Sequence, residues 1–309
     1  MHGRVFRVIP DGKNVMNKRR AARLRQALFS FPIGLLFLLG RMMYPSPSWA
    51  WGDLGHKIIC QIAFEELNTK ARNEVTRLIA PDSTFNSFTD ACTWPDHPRK
   101  RAEEHFINVG RSVHTITVAQ CPAVPKCLFT AIPADLDVLR TSNDDAAKLA
   151  SLKFLGHWIG DIHQPLHVSF AADRGGNVIR ESSPCVNSLH TVWDVCIIEK
   201  KLGTDPQTMA RDLMESITDS DGASWVAIPI AGWANESFQV TRRKSVGYCV
   251  RVGSKCVYQQ GNETFSEGED EKVVVVNVAY LEQHVPFARD RLKRAGIRLG
   301  HLLNMTLGQ

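Results

Sequence analysis

One stretch decides the fold class: SNDDAAKLASLKFLGHWIGDIHQPLH, residues 142–167. Ser142 followed three residues later by Asp145 is typical of a helix N-terminus. Pro165 ends the helix, because proline lacks the amide hydrogen that another turn needs. The pattern therefore predicts one long helix from this cap to about His163.

Helical periodicity recurs along the chain, where apolar residues return every three or four positions. The segments that show it are 55–67, 69–79, 189–202, 206–217, 224–240 and 286–303. Strand signals are weak: residues 106–109 and 113–118 fit short strands or extended loops, and 273–276 is ambiguous. With long loops at 110–127 and 242–271, these patterns predict a mostly α, single-domain fold with a few short strands.

The formal charge of +5 is unevenly distributed along the 309 residues. Nine of the 37 basic residues but one of the 32 acidic residues precede position 51, which leaves 28 basic against 31 acidic residues after it. The later part is thus slightly acidic and does not depend on a global positive field to attract a partner. The apolar fraction of 44% and charged fraction of 22% exclude a disordered, collagenous or coiled-coil chain.

The N-terminal segment is typical of an export signal. A basic segment precedes the apolar run at 27–40, and Ser48 and Ala50 place small residues at the two positions that define a cleavage site. We predict a cleaved leader at 1–50 and a mature chain that begins at Trp51, in the periplasm or secreted. An uncleaved membrane anchor is the alternative, although the apolar run is short for a span. No later segment is apolar enough to cross a bilayer.

All eight cysteines follow the predicted cleavage site, and an even number in an exported chain favours disulfides over zinc thiolates. Closing the shortest loops first gives four pairs: Cys121–Cys127, Cys185–Cys196, Cys249–Cys256 and the remaining Cys60–Cys92. Eight cysteines allow about 105 connectivities, so this pairing is guided by proximity alone. Each long loop would then carry one disulfide that restrains it.

Two histidine–aspartate pairs have the spacing of one helical turn. His157 and Asp161 share the helix quoted above, so both face one side of it. His190 and Asp194 repeat the pattern, and His167 follows the first helix. Imidazole and carboxylate ligands suit a catalytic zinc ion, because they leave a position for water. Taken alone, such a pair is more often a solvated face or a satisfied core pair.

Further candidates lie upstream. Trp94-Pro95-Asp96 contributes a carboxylate and precedes Arg99, HFIN at 105–108 contributes His105, and His56 lies five residues after the predicted new N-terminus. We predict a structural role for His163, since Pro165 breaks its alignment with the histidine that follows. The number of candidate ligands in one exported, disulfide-rich helical chain favours a metal site.

The motifs together resemble the exported zinc-dependent, single-strand-specific nucleases of fungi, plants and bacteria, the S-one/P-one type. In the order of that family they are WGDLGH (51–56), WPD (94–96), HFIN (105–108), HWIGDIHQPLH (157–167), GGN (175–177), HTVWD (190–194) and WANES (233–237). The match covers nearly the whole mature chain. It implies the helical fold that these nucleases share with zinc phospholipase C, and it makes residues 51–309 the nuclease catalytic domain.

The resemblance implies three zinc ions in one cleft and assigns their ligands by motif position. The first ion is held by Asp96, His105, His157 and Asp161. The second is held by His167, His190 and Asp194. The third is held by Asp161, His56 and the α-amine and carbonyl of Trp51. Because an amide nitrogen has no lone pair to donate, removal of the leader would complete this site.

The same resemblance implies hydrolysis of phosphodiester bonds in single-stranded DNA and RNA to 5′-phosphate products, with 3′-nucleotidase as a side activity. Asp96 would orient the attacking hydroxide and Arg99 would bind the phosphate. Phe106 would stack on a splayed base whose edge contacts Asn108 and Asn177. The simpler interpretations are a solvated arginine, a core phenylalanine and a turn asparagine. The chain would act as a monomer without an obligate protein partner.

Two alternatives remain open at this point. A bacterial zinc phospholipase C resembles the same family in its fold, N-terminal tryptophan and zinc cluster. The second is a non-catalytic exported zinc-binding protein. Zinc storage requires neither Asp96 nor Arg99, so their presence argues against it. Activity against nucleic acid, against phosphatidylcholine or against neither separates the three.

Overall fold

A computed structural model describes residues 51–309, except 111, 122–125, 172–173, 178, 180, 183–184, 186–187, 248, 253–254 and 259–273. The predicted leader at 1–50 lies outside the described residues, so its cleavage stays a prediction.

The described part of the chain is mostly helical. Its α-helices are α1 Asp53–Glu65, α2 Thr69–Ile79, α3 Phe88–Ala91, α4 Leu128–Thr141, α5 Asp145–His163, α6 Leu189–Thr191, α7 Ile197–Lys201, α8 Pro206–Met214, α9 Asp219–Val226, α10 Ile230–Thr241 and α11 Val278–Leu307. A π-helical segment, Val192–Cys196, joins α6 to α7. The predicted mostly α fold is confirmed.

The strands are short and form two-stranded sheets. They are β1 Ile107–Val109, β2 Val168–Phe170, β3 Glu181–Ser182, β4 Cys249–Val252, β5 Lys255–Tyr258 and β6 Val274–Val275. β1 pairs with β2 in parallel, β3 with β6 in parallel, and β4 with β5 antiparallel. The segment 113–118, which fitted either a strand or a loop, is irregular and leads into a 3₁₀ turn at Val118–Gln120.

Helix α5 lies at the centre of the fold. Every side chain from Ser151 to His163 is buried, because α1, α4, α10 and α11 pack around it. Its cap differs from the prediction: the Asp144 carboxylate accepts the Ala146 amide at 2.9 Å, while the Ser142 hydroxyl accepts the amide of Asp144. The helix ends at His163, as predicted.

Two helical predictions were wrong in extent, and one helix was missed. The last helix begins at Val278 and not at Pro286, because burial of Tyr280 and Leu281 offsets the one backbone bond that the proline removes. The segment 224–240 is two helices, α9 and α10, since Pro229 interrupts it. Helix α4 was not predicted, because Pro133 lies inside it.

Three of the four predicted disulfides are confirmed: Cys60–Cys92, Cys121–Cys127 and Cys185–Cys196. Cys249 and Cys256 lie on β4 and β5, whose side chains are outside the described residues. The first bridge ties α1 to the segment after α3 and lies against α5 at Gly156, where a Cβ atom would overlap the sulfur of Cys92. Within the described ranges, no helix has both the length and the apolar character needed to cross a bilayer.

Candidate metal centre

His157 and Asp161 lie one turn apart on α5, both fully buried. The His157 Nδ1–H donates to the carbonyl of Cys92 at 2.9 Å. Because a carbonyl can only accept, the neutral ring carries its proton on Nδ1 and presents a lone pair at Nε2. That atom lies 3.5 Å from Asp161 Oδ2, so the helix directs one imidazole and one carboxylate at the same point.

The turn between the WPD and HFIN motifs brings Asp96 and His105 to the same point. His105 Nε2 donates to the Lys100 carbonyl at 2.9 Å, which leaves its Nδ1 as a lone-pair atom. This atom lies 3.1 Å from His157 Nε2 and 3.1 Å from Asp161 Oδ2. Asp96 Oδ1 lies 3.6 Å from His105 Nδ1, and Asp96 Oδ2 lies 3.6 Å from His157 Nε2. Lone pairs that face one another at these distances repel unless a cation lies between them.

His56 on α1 covers the other side of His157. The two rings stack with their centroids 3.8 Å apart and 13° between their planes, and His56 Nε2 lies 3.5 Å from Asp161 Oδ1. Gly160 makes this approach possible, because a Cβ atom there would lie 2.6 Å from His56 Nδ1. Trp51 is fully buried at the start of this helix.

A second group lies at the junction of α5 with the π-helical segment. His167 Nδ1 donates to the His105 carbonyl and His190 Nδ1 to the Gly175 carbonyl, both at 2.6 Å. His190 Nε2 lies 3.4 Å from Asp194 Oδ2. The Asp194 carbonyl accepts the Gly52 amide at 2.9 Å, which ties this group to the N-terminal end of α1.

The donor atoms fit metal ions. Three sets have ligand atoms within 4.8 Å of one another: His56–Asp96–His157, His105–His157–Asp161 and His167–His190–Asp194. Buried polar atoms normally have hydrogen-bond partners, yet several of these have none within the described chain. They are both nitrogens of His56, Nε2 of His167 and His190, Oδ1 of Asp96 and both oxygens of Asp161. Bound metal cations would satisfy such a set of imidazole and carboxylate atoms.

Protonation states favour metal binding as well. Burial lowers the pKa of His190 to about 4 and shifts the pKa of the other imidazoles of the centre downward, so the rings are neutral at neutral pH. Burial raises the pKa of Asp96 to about 6, while the charge of Arg99 opposes the rise. Burial also raises the pKa of Asp161 and Asp194, and neighbouring carboxylates add to it. The surroundings of these clustered carboxylates therefore provide too little positive charge to favour their ionised form. Bound metal ions would supply that charge.

Arg99 follows the candidate ligand Asp96 by three residues. Its positive charge acts on the pKa of Asp96, of Asp161 and of Asp194, so the guanidinium lies near both groups of ligands. Arg101, two residues further on, is directed elsewhere: it donates to the Asp135 carboxylate at 2.8 Å and also bonds Glu104. The run of three basic residues is therefore not a uniformly solvated patch.

The candidate base-binding residues lie on two elements. Phe106 and Asn108 are two residues apart at β1 and share a face, and the buried Asn108 Oδ1 has no partner among the described residues. Asn177 ends a glycine turn, where its side-chain Nδ2 donates to the Arg174 carbonyl at 2.8 Å. Gly175 in that turn has a φ of 66° and carries the carbonyl that orients His190. Asn177 thus has the predicted turn role, and its side-chain oxygen remains an acceptor.

Comparison with known proteins agrees with this geometry. A model of the S1/P1 nuclease family matches residues 51–308. The chain belongs to the S1/P1 nuclease family. The match begins at the tryptophan that follows the predicted cleavage site and ends within the last two residues of the chain.

Characterised relatives span nearly the same length. Endonuclease 2 of Arabidopsis thaliana is 26% identical over 284 residues, which cover 86% of this chain and 94% of the relative. Endonuclease 1 of the same plant is 27% identical, with 87% and 92% covered. Nuclease S1 of Aspergillus oryzae is 27% identical, with 85% and 93% covered.

Family membership makes the chain a metal-dependent hydrolase of phosphodiester bonds with nucleic acid as its substrate. It decides for the nuclease over the phospholipase C and the non-catalytic zinc-binding protein. The disulfides are consistent with export, because they persist in oxidising compartments.

Two residues that support the nuclease centre were missed by sequence reasoning. Gln164 is fully buried; its amide donates to an Asp194 oxygen and its carbonyl accepts the Leu166 amide. Arg298 on α11 is fully buried and donates to His163 Nε2 at 2.8 Å. The structural role predicted for His163 is confirmed. A glutamine between a histidine and a proline carries no signal by itself, but an arginine within the apolar stripe of α11 was detectable.

The WANES motif also has a structural role. Glu236 accepts from Arg298 at 2.7 Å, and Ser237 donates to the Ile162 carbonyl at 2.7 Å, next to Asp161. Asn235 exchanges two hydrogen bonds with the backbone of Ile116, at 2.8 and 2.6 Å. This motif therefore fixes the end of α5 and the loop after β1.

Proposed function

We propose that this S1/P1 nuclease is an exported endonuclease that uses three zinc ions to hydrolyse single-stranded DNA and RNA to 5′-phosphate products. The observation that carries the proposal is a set of buried imidazole and carboxylate atoms that have no hydrogen-bond partner in the described part of the chain. These atoms converge from α1, α5, the WPD turn and the π-helical segment. Zinc is the metal whose preference for neutral imidazole and carboxylate ligands this set meets.

The ligands follow from the two groups. One ion would be held by Asp96, His105, His157 and Asp161, and a second by His167, His190 and Asp194. A third would be held by His56, Asp161 and the amine and carbonyl of Trp51. The 3.5 Å distance from His56 Nε2 to Asp161 Oδ1 supports the shared use of Asp161. By side-chain geometry His56 also groups with Asp96 and His157, so the residues that would hold the first and third ions are adjacent.

In the reaction, this chain positions the phosphate and the attacking water. Bound zinc ions lower the pKa of water toward neutrality and stabilise negative charge on phosphate oxygens. Asp96 Oδ1, which is buried and has no hydrogen-bond partner among the described residues, would orient the water. The Arg99 guanidinium binds the phosphate through paired N–H donors. The 3′-oxygen leaves, so the product carries a 5′-phosphate, and a terminal 3′-phosphate can be hydrolysed in the same way.

Preference for single strands arises from the base-binding residues. Phe106 is partly exposed at the edge of β1 and supplies a ring on which an unpaired base can stack. The unpartnered Asn108 Oδ1 and the amide of Asn177 supply polar atoms for the base edge. A base must leave its stack to reach these atoms, which penalises a duplex. The protein acts alone, as a monomer in the periplasm or outside the cell.

The test compares substrates on protein that begins at Trp51. Denatured DNA and RNA should be cut at least about 10-fold faster than duplex DNA, since opening a base pair costs a few kcal/mol. Chelator should abolish cutting, and zinc should restore it. Phosphatase-sensitive 5′ ends should appear on the products. Chelator-resistant cutting, or 3′-phosphate ends, would contradict the proposed chemistry.

Arg99→Ala should lower kcat by about 100-fold with the zinc content unchanged, because the variant loses a charge-assisted contact made to the phosphate. Turnover and zinc per chain are measured on the same preparation. Arg211→Ala, at an exposed position on α8, is the matched control and should behave as wild type. Wild-type turnover in Arg99→Ala would remove this residue from the mechanism.

A further inference from the structure

The ammonium of Lys100 is held by the turn that precedes it. It follows Arg99 in the basic run, and its side chain is partly buried. Its ammonium donates to three backbone carbonyls of the preceding turn, those of Trp94 at 2.9 Å, His97 at 3.1 Å and Pro98 at 2.9 Å. An ammonium group has three N–H donors, so this turn uses all of them.

Lys100 also contacts an aromatic ring. Its ammonium lies 4.3 Å from the centroid of the Trp94 ring, a cation–π distance. A second lysine, Lys153, lies 4.9 Å from the same centroid and pairs with the Asp82 carboxylate. Trp94, the first residue of the WPD motif, thus receives two cations, and neither is directed at a substrate.

The backbone of Lys100 extends this network to the metal centre. Its amide donates to the Pro95 carbonyl at 2.7 Å, and its carbonyl accepts His105 Nε2 at 2.9 Å. Arg99 therefore lies between two anchored points: the Pro98 carbonyl on one side, bonded to the ammonium, and the amide of Lys100 on the other. The chain has little freedom to rotate at Arg99 while both bonds persist.

We propose that Lys100 is a positioning residue for Arg99: it closes the turn from Trp94 to Lys100 so that the guanidinium meets the phosphate. The inference rests on the proposed function, in which Arg99 binds the phosphate. An arginine cannot replace this lysine, because a planar fork cannot direct three donors at three carbonyls that surround one point. Lys100 makes no contact with the substrate in this role.

The experiment is a double-mutant cycle on zinc-loaded protein that begins at Trp51. Lys100→Met should lower kcat by about 10- to 100-fold with KM within about 3-fold, because misplacement of a binding group by about 1 Å has that effect on rate. In an Arg99→Ala background the same substitution should cost less than about 3-fold, since its effect passes through Arg99. Zinc per chain should be equal in all four proteins.

Two further variants control for charge and for folding. Lys100→Arg keeps the charge and should show most of the kcat loss; full activity in this variant would overturn the inference. Lys70→Met removes an exposed lysine from α2 and should match wild type. Far-ultraviolet circular dichroism checks whether each variant is folded. If Lys100→Met does not fold, Lys100→Arg is used for the test.

The outcomes separate this inference from the proposed function. Equal losses from Lys100→Met in both backgrounds would show a general structural effect and overturn the positioning role. A raised KM with a weaker dependence on salt would show that Lys100 binds phosphate directly, which also overturns it. An Arg99→Ala protein with wild-type turnover would instead contradict the phosphate-binding role on which the inference rests.

Discussion

A chain that keeps Ala50 ahead of Trp51 is expected to bind one zinc ion fewer than the processed chain and to turn over on the order of 100-fold more slowly. Cleavage before Trp51 would convert its nitrogen from an amide, whose lone pair is delocalised into the carbonyl, into an amine that can bind a metal. Trp51 is fully buried beside α1, so the added residue would also enter a packed region.

Zinc per chain, measured by elemental analysis, and turnover on denatured DNA check this prediction. The matched control adds one alanine after Gln309, at the exposed C-terminus, and should leave both quantities unchanged. Equal zinc content and equal turnover with and without Ala50 would show that the amine is not a ligand.

Asp161→Asn should be the most damaging single substitution in the centre. The two Asp161 oxygens lie 3.1 Å from His105 Nδ1 and 3.5 Å from His56 Nε2, and both are buried without a hydrogen-bond partner in the described chain. A neutral amide is a poor zinc ligand, so the ions on both sides should bind weakly. We expect the loss of two ions per chain and a fall in turnover of at least about 1,000-fold.

Whether Asp161→Asn or the wild type has the higher thermal stability should depend on the presence of zinc. In zinc, the wild type should be the more stable protein, because it gains the binding free energy of every ion. In chelator, Asp161→Asn should be the more stable, because it removes a carboxylate whose pKa burial raises well above normal. Asp212→Asn, exposed on α8, is the control and should not reverse. The same order in both conditions would contradict a shared metal-binding role for Asp161.

The positions of His157 and Asp161 were predictable, because a four-residue spacing on a helix fixes their common direction whatever surrounds it. His190 and Asp194 kept this relation even though Asp194 lies in the π-helical segment and not in an α-helix. The stacking of His56 on His157 was not predictable from spacing, since it depends on how closely α1 approaches α5 at Gly160.

The extents of helices were predicted less well, for a common reason. Pro165 and Pro229 interrupt the helical segments, although the prediction ran a single helix through Pro229. Pro133 and Pro286 lie inside helices, although the prediction began a helix at Pro286. In the latter two, packing of neighbouring turns offsets the missing backbone bond. The supporting contacts of Gln164 likewise join segments 30 residues apart, which no local pattern records.

The imidazoles of the centre are oriented by the main chain. Four rings each donate one N–H to a backbone carbonyl: His105 to Lys100, His157 to Cys92, His167 to His105 and His190 to Gly175. A carbonyl oxygen is present whichever residue evolution places at a position. The tautomer of each metal-facing ring is therefore inherited with the backbone path and survives replacement of neighbouring side chains. Such a centre can be retained while much of the sequence diverges, and the relatives of this chain are 24–27% identical to it.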